Sequence, residues 1–243
     1  MKKLEYKKFA IKTSNKKKVI KNLFNDVSAK YDLMNDIMSF GLHRLWKKDM
    51  LRFLRKEKPD LILDLAGGTG DISLLMTKIY NNIEIIIYDL SIKMILQSKK
   101  QFYSAANKIF YINGSAEEMA LSNESVDLIT LAFGIRNFSS IEKAVNECYR
   151  ILKYGGKIYC LEFSPSSNLD LLPFYNIYTS KVIPNIGKFV AKNEDAYRYL
   201  VDSIKNFPHN IELKNIFKSS GFFCYNQRRY LGGIAYLNIF CKI

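Results

Sequence analysis

The stretch Leu63-Asp64-Leu65-Ala66-Gly67-Gly68-Thr69-Gly70-Asp71 decides the fold that this sequence predicts. The apolar run Leu61–Ala66 is typical of a buried strand, and the glycines after it allow the sharp turn from a strand into a helix. Nineteen residues beyond Gly70, Asp89 ends a second apolar run. A glycine-rich turn followed by a carboxylate at the end of the next strand is typical of a nucleoside-binding α/β sheet.

Beyond residue 60, short β-branched runs alternate with helical patterns, which predicts βαβ units and a mostly parallel sheet with right-handed crossovers. The predicted strands are Leu61–Ala66, Glu84–Asp89, Ile109–Ile112, Val126–Ala132, Lys157–Phe163, Phe222–Arg228 and Ile234–Cys241. The predicted helices are Asp71–Tyr80, Ser91–Tyr103, Ile141–Lys153 and Ile211–Ser219. We expect Gly155-Gly156 to end the third of these helices, and Gly232-Gly233 to join the last two strands as an antiparallel edge hairpin.

Two segments lie outside this alternation. Residues 1–58 form a basic segment with 17 Lys and Arg against 6 Asp and Glu, and 17–58 are predicted to hold two or three helices before the main domain at 59–243. Residues 164–208 form a long aromatic insertion, which we interpret as a substrate cap. Such a basic segment could meet nucleic acid, an anionic membrane or an acidic partner, or could simply be solvated.

Composition excludes several classes of protein. Hydrophobic residues make up 48% and charged residues 25%, as in a globular chain with a real core. No apolar run approaches a membrane span, and no apolar region follows the basic start as in a secretory signal. The four cysteines include no Cys-x-x-Cys pair and there are two histidines, so we expect neither a disulfide framework nor a metal site.

The glycine turn also indicates which nucleoside is bound. Counting G-x-G-x-x-G from Gly68 reaches Ser73 where the third glycine should stand, and Asp71 places a negative charge where a diphosphate would lie. S-adenosylmethionine (SAM) has a ribose, an adenine and an amino-acid end but no phosphate, so the turn favours SAM. A dinucleotide and a turn that binds nothing are the alternatives. The predicted cofactor-binding residues are Tyr31, Gly67, Gly68, Thr69, Gly70, Asp89, Leu90, Ser115, Ala116 and Ala132.

Five of these residues have a specific expected role. Asp89 would accept hydrogen bonds from both ribose hydroxyls, and Ser115 and Ala116 are small enough to lie against the adenine. Ala132 ends the fourth strand, whose carboxyl end would face the transferred methyl group. Tyr31 could cover the sulfonium or could be a core residue.

Four motifs resemble the ubiquinone/menaquinone biosynthesis C-methyltransferase family, also called UbiE-type. They are Tyr31–Trp46 (YDLMNDIMSFGLHRLW), Ala132–Asn137 (AFGIRN), Arg150–Gly156 leading to Leu161–Ser164, and Ala196–Ile204 with Phe207-Pro208. The likeness spans about residues 20–243, and the first and last motifs are the specific ones. Tyr154 replaces the family's usual proline, and Ala132 its usual serine. The resemblance implies a Rossmann-like class I SAM-dependent methyltransferase fold.

The resemblance also implies methyl transfer to a ring carbon of a polyprenylated benzoquinol or naphthoquinol. The attacking carbon becomes more nucleophilic when the phenolic oxygen loses its proton, and a phenol has a pKa of about 10. We therefore expect Arg136 to stabilise the phenolate, although a salt bridge to Asp71 or Glu162 is an alternative. Asp71 could pass a proton through water or, as we favour, hold the cofactor's amino group.

The remaining site predictions concern the acceptor. Tyr197 is expected to cover the reacting ring as a third catalytic residue beside Arg136 and Asp71, or to be a core residue. The predicted substrate-contacting residues are His43, Arg136, Asn137, Glu162, Tyr178 and Tyr197. For His43, a structural role is favoured over acid–base chemistry.

The expected partners follow from the apolar tail of such a quinol. The lysine-rich segment would hold the protein against an anionic membrane, at the cytoplasmic inner face or, alternatively, on the matrix side of the mitochondrial inner membrane. The family implies homodimers and complexes with other quinone-biosynthesis proteins. Nucleic acid is not expected, because few aromatic residues interleave the lysines. A methyltransferase of RNA or of a small aromatic acceptor, and a non-catalytic scaffold, remain the alternatives.

Overall fold

The structure, a computed structural model, describes residues 13–27, 35–36, 39, 41–102, 108–165 and 194–243. Its centre is a seven-stranded sheet with the order β3-β2-β1-β4-β5-β7-β6. The strands are β1 Leu61–Leu65, β2 Glu84–Asp89, β3 Lys108–Asn113, β4 Val126–Ala132, β5 Leu152–Phe163, β6 Phe222–Tyr230 and β7 Ala235–Lys242. The first five are parallel, and β7 runs antiparallel between β5 and β6. The predicted sheet and its edge hairpin are confirmed.

The helices lie on both faces of this sheet. They are α1 Thr13–Val27, α2 Leu42–Leu54, α3 Asp71–Met76, α4 Ile92–Gln101, α5 Ile141–Ile151, α6 Glu194–Lys205 and α7 Asn210–Ser219. One buried cluster joins α1 and α2 to the sheet, and a second cluster on the other face joins α5 and α7 to it. In β5, Tyr159, Leu161 and Phe163 face the first cluster, whereas Ile158 and Cys160 face the second, as the two-residue period of a strand requires.

The prediction that Gly155-Gly156 end helix α5 was wrong. The helix ends at Ile151, and Leu152 already has extended dihedrals with φ −76° and ψ 136°. Both glycines lie inside β5. Leu152 pairs with Val126 of β4 and Lys157 pairs with Leu128, so β5 has more residues between these two pairs than β4 has. The extra residues form a bulge in which Gly155 adopts a φ of +76°, so the glycines shape the start of a strand instead of the end of a helix.

The sheet order places a cleft at its carboxyl edge. After β3 the chain returns across β2 and β1 and enters β4 on the other side of β1. The connections that leave β1 and β4 therefore diverge, and such a switch point is where open α/β sheets bind ligands. Among the residues that the structure describes, no helix has the length and apolar character needed to span a membrane.

Candidate active site

The turn between β1 and α3 forms the floor of the cleft. Gly70 immediately precedes α3 with a φ of 85°, and a Cβ there would lie 2.8 Å from the ring of Phe102. Glycine is thus required by both the backbone conformation and the packing. The turn brings Gly67, Gly68 and Thr69 to the carboxyl edge of the sheet, as predicted.

A large pocket at this edge encloses about 610 Å³, which includes space open to solvent. It includes five of the predicted site residues: Gly68, Asp89, Leu90, Ala116 and Asn137. Helix α1 contributes Ile20 and Phe24 to the lining, which sequence reasoning did not assign to the site. The basic N-terminal segment therefore supplies part of the cleft wall.

Asp89 is held with its carboxylate in this pocket. Its Oδ2 accepts a hydrogen bond from the Gly68 backbone N–H at 2.9 Å, and its Oδ1 accepts one from the Ser91 N–H at 2.8 Å. A carboxylate has about four acceptor positions, so two remain for ribose hydroxyls. Burial raises the pKa of Asp89 to about 6, against the effect of the two N–H donors. The residue fits the ribose-binding role.

A smaller pocket of about 340 Å³ adjoins the first, and half of its ten lining residues are polar. Ala66, at the end of β1, and Phe133, after β4, line both pockets. Both have a left-handed φ, 52° and 58°, a conformation that costs a non-glycine residue free energy and that clusters at ligand sites. The polar residues around the smaller pocket are Asn35, Lys47, Asp64, Thr69 and Asp71.

Lys47 is a site residue that sequence reasoning missed. It lies buried on α2, and its Nζ donates a hydrogen bond to Asp71 Oδ2 at 2.6 Å. A salt bridge between Asp71 and Arg136 was one of the alternatives considered, and the structure pairs Asp71 with Lys47 instead. A signal was present, because Lys47 falls on the apolar face of α2 beside Trp46 and Met50, where a lysine needs a reason to be buried.

Asp64 is the second missed residue. Its Oδ2 accepts from the Ser73 backbone N–H at 3.2 Å and the Ser73 hydroxyl at 2.5 Å, and its Oδ1 accepts from the Thr130 hydroxyl at 2.9 Å. Burial raises the pKa of this carboxyl to about 6, because its three donors only partly offset the loss of solvent. These hydrogen bonds of Asp64 link β1 to both α3 and β4 at the wall of the smaller pocket.

Arg136 and Glu162 form a buried ion pair at the ends of β4 and β5. The Arg136 Nη1 donates to Glu162 Oε1 at 2.6 Å and to the Phe133 carbonyl at 2.7 Å, and the guanidinium lies 5.6 Å from the centre of the Phe163 ring. Burial raises the pKa of Glu162, and the Arg136 charge acts against that rise. Of the two salt bridges considered for Arg136, the structure contains the one to Glu162.

Asn137 follows Arg136 in a short 3-10 turn and faces the larger pocket. Its Oδ1 accepts a hydrogen bond from the Tyr199 hydroxyl at 2.9 Å. Tyr199 belongs to α6, which lies within the predicted cap, so this bond links that helix to the turn after β4. Sequence reasoning chose Tyr197 in the same motif, and only the position of its helix is described, not its side chain.

His43 is buried on α2 beside the smaller pocket without lining it. Its Nε2 is 2.8 Å from Asp36 Oδ1, and its ring meets Phe133 edge-on at 6.3 Å. Burial and the nearby Lys47 charge lower the pKa of His43. These contacts are those of the structural role that was favoured.

The loop after β3 supplies the expected small residue and a missed acid. Ala116 faces the larger pocket, whereas the Ser115 hydroxyl donates to Glu117. Glu117 also lines the pocket and accepts from the Ser139 backbone N–H at 2.7 Å. It therefore links the β3 and β4 loops. Ala132 lines the smaller pocket, beside Gly67 and Thr69.

This geometry agrees with the match to a known family. The sequence model described as the ubiE/COQ5 methyltransferase family matches residues 11–242. The chain belongs to the ubiE/COQ5 methyltransferase family. A helical N-terminal segment, the glycine turn and the edge hairpin thus all fall within the family's extent. Membership and fold together support SAM as the methyl donor.

Curated relatives of this family match almost end to end. The ubiquinone/menaquinone biosynthesis C-methyltransferase UbiE of Rickettsia bellii is 40% identical over 239 residues, with 96% of each chain covered. UbiE of Rickettsia prowazekii is 41% identical over 236 residues, with 95% of each chain covered. UbiE of Zymomonas mobilis is 36% identical over 234 residues, with 96% of each covered.

Solved structures agree on the fold. A SAM-dependent methyltransferase of Thermotoga maritima superimposes with a TM-score of 0.63 at 18% identity, covering 92% of this chain and 100% of that one. The [4+2]-cyclase SpnF superimposes with a TM-score of 0.58 at 12% identity, covering 76% of this chain and 75% of that one. Because a cyclase shares the fold, the chemistry has to be argued from the family and the site residues.

Three predicted residues of the ubiE/COQ5 site are not placed. Tyr31 and Tyr178 lie outside the described residues, as does most of the predicted cap at 166–193. The side chain of Tyr197 is not described either. Their predicted roles at the cofactor and the acceptor ring stay predictions.

Proposed function

We propose that this protein transfers the methyl group of SAM to a ring carbon of a polyprenylated benzoquinol or naphthoquinol. The observation that carries the proposal is the pocket at the carboxyl edge of the sheet that Asp89 lines, together with the smaller pocket that adjoins it. The UbiE names of the relatives supply the class of acceptor. SAM, when bound, supplies an electrophilic methyl group.

The two pockets suit the two ends of the cofactor. In the larger pocket Asp89 would accept the ribose hydroxyls, while Leu90 and Ala116 would lie against the adenine. Gly67, Gly68, Thr69 and Gly70 would form the turn beneath. In the smaller pocket Asp71 would hold the cofactor's ammonium group. The carboxylates of Asp64 and Asp71 in the lining of the smaller pocket oppose a diphosphate.

Arg136 is the residue that we assign to the phenolic oxygen of the acceptor. A cation that is fully buried stabilises a developing phenolate more strongly than a solvated one, because the local dielectric is low. Support comes from the turn it occupies, since Arg136 immediately precedes Asn137, which faces the larger pocket, although the guanidinium itself lines neither pocket. Glu162 would hold the guanidinium in place.

The acceptor's ring and tail would meet the residues around this turn. Asn137 would contact the quinol, and the Tyr199 hydrogen bond would fix the Asn137 amide. Tyr178 and Tyr197 would cover the ring, Tyr31 the sulfonium, and His43 would support the wall behind Phe133. The protein would deprotonate or orient the phenol and exclude water during the transfer.

The apolar tail implies delivery from a membrane. The basic segment 1–58 would bind anionic headgroups, at about 1 kcal/mol per well-placed Lys or Arg. The protein would then act as a peripheral protein at the inner face of the membrane. Salt-sensitive flotation with anionic vesicles is expected, and flotation that ignores both salt and lipid charge would contradict it.

Turnover on defined acceptors tests the function. The purified protein is incubated with methyl-labelled SAM and a short-tailed demethyl-benzoquinol or demethyl-naphthoquinol, each also supplied as the oxidised quinone. Mass spectrometry and NMR are expected to find the label on a ring carbon of a reduced quinol and not of its quinone, which lacks the phenolic oxygen. The Asp89→Ala variant is expected to lose this product. Label on oxygen, or no transfer to either quinol, would contradict the proposal.

A further inference from the structure

The smaller pocket is lined by the buried side-chain amide of Asn35. Asn35 is only 1% exposed, and within the described part of the chain neither its Oδ1 nor its Nδ2 has a partner. Leaving such a buried polar group unsatisfied is destabilising. Because Asn35 lines the pocket, a ligand with polar atoms there would satisfy it.

The position of Asn35 is fixed by the start of α2. The Ser39 hydroxyl donates to the Asn35 carbonyl at 2.8 Å, and the His43 backbone N–H donates to the same hydroxyl at 3.1 Å. The adjacent Asp36 is held by His43 and by both Nε and Nη2 of Arg44. The amide is therefore held in the wall of the pocket before any ligand arrives.

Lys47 places a positive charge beside this amide. Its side chain is 6% exposed, whereas the side chain of Asp71 is 38% exposed. Among the described residues, Asp71 is the only hydrogen-bond partner of the Lys47 ammonium, which can donate three bonds. A buried ammonium with spare donors at the wall of a pocket can bind an anionic group.

The arrangement of charges selects a zwitterion over a simple anion. Lys47 and the Asn35 amide supply donors, but Asp71 and Asp64 supply carboxylates on the same pocket. A phosphate or diphosphate would be repelled by the two acids. An amino acid carries one carboxylate and one ammonium, and it can satisfy both sides of the pocket at once.

We infer that Lys47 and Asn35 bind the α-carboxylate of the cofactor's amino-acid end, while Asp71 receives the α-ammonium. This inference rests on the proposed use of SAM and adds recognition of its carboxylate. Lys47 and Asn35 both come from the segment before β1, so that segment would close the cofactor site at both ends, with Ile20 and Phe24 over the larger pocket.

Calorimetry with three ligands tests the inference. S-adenosylhomocysteine has the whole amino-acid end, its decarboxylated analogue lacks only the carboxylate, and 5′-methylthioadenosine lacks both charged groups. We expect the wild-type protein to bind S-adenosylhomocysteine about 10- to 100-fold more tightly than the decarboxylated analogue. We expect Lys47→Met to lose that preference and to keep the affinity for 5′-methylthioadenosine within about twofold, whereas Asn35→Ala should reduce the preference about fivefold.

The controls separate binding from folding and from the proposed function. Lys48→Met removes the exposed neighbouring lysine and is expected to leave all three affinities unchanged. If Lys47→Met does not fold, two results still decide the inference: the wild-type affinities for S-adenosylhomocysteine and its decarboxylated analogue, and the effect of Asn35→Ala on their ratio. Equal wild-type affinity for those two ligands, or an equal loss for all three ligands in Lys47→Met, would overturn the inference alone. A wild-type protein that binds none of them would overturn the proposed function as well.

Discussion

The buried pair of Arg136 and Glu162 allows structure and chemistry to be separated by mutation. The two side chains are 0% and 2% exposed. Removing one partner of such a pair costs about 3–5 kcal/mol, because the other charge is left buried without compensation. Arg136→Met should therefore destabilise the protein by that amount, with Glu162 neutralised by a raised pKa.

A second substitution should restore most of this loss. Glu162 Oε1 also accepts a hydrogen bond from the Phe163 backbone N–H at 2.8 Å. Gln in place of Glu162 keeps this acceptor and carries no charge, so Arg136→Met with Glu162→Gln should cost only about 1–2 kcal/mol. The double variant should thus retain the fold while it lacks the Arg136 cation.

The assay combines denaturant unfolding with turnover of demethyl-quinol by the wild type, both single variants and the double variant. If Arg136 stabilises the phenolate, kcat of the double variant should fall about 100- to 1,000-fold although its stability recovers. The affinity for the cofactor should remain near that of the wild type, because Arg136 lines neither the larger nor the smaller pocket. A double variant as unstable as Arg136→Met would refute the ion-pair reasoning, and undiminished kcat would refute the catalytic role.

Three further predictions concern the cleft and its support. The pKa of Asp89 is raised to about 6, so its ionised, hydrogen-bond-accepting form is lost as the pH falls, and the affinity for S-adenosylhomocysteine should drop about tenfold from pH 7 to pH 5. Calorimetry should find that Asp89→Asn binds S-adenosylhomocysteine weakly and with less dependence on pH, and the same pH dependence as in the wild type would contradict the ribose assignment. Tyr199→Phe removes the bond to Asn137 and should cost about 1 kcal/mol of stability and lower kcat/KM without changing cofactor affinity; steady-state kinetics that show unchanged kcat/KM would argue against the α6 contact. Trp46→Ala removes the ring that stacks on Tyr230 at 5.5 Å and also packs against Phe133, and the resulting cavity should lower the free energy of unfolding by about 3–5 kcal/mol. A loss below 1 kcal/mol in denaturant unfolding would show that α2 is held by other contacts.

The sheet was predictable because its signals are local. Apolar runs bounded by turn residues fix strands such as Glu84–Asp89 and Val126–Ala132 to the residue. The start of the helix at Ile141 was also predictable, since Ser140 caps it. Its end was not, because two glycines in sequence do not distinguish a helix stop from a bulge that depends on pairing with β4.

The position of a site residue, whose role stays a prediction, was predictable where a suitable residue type stands at the end of a strand. Asp89 at the end of β2 is the clearest example. The partners of charged residues were less accessible, because Lys47 and Asp71 meet across 24 positions of sequence and only the packing of α2 brings them together. Arg136 was placed at the correct turn, but the choice of Glu162 over Asp71 depended on the register of β4 and β5.

A crystal structure of the protein with S-adenosylhomocysteine would be the most direct measurement of where the donor sits. We predict ribose hydroxyls on the Asp89 carboxylate in the larger pocket and the homocysteine end in the smaller one, contacting Lys47 and Asn35, with the acceptor side open toward Asn137. A ribose that does not touch Asp89, or a ligand diphosphate at the glycine turn, would contradict the assignment of this edge to a phosphate-free methyl donor.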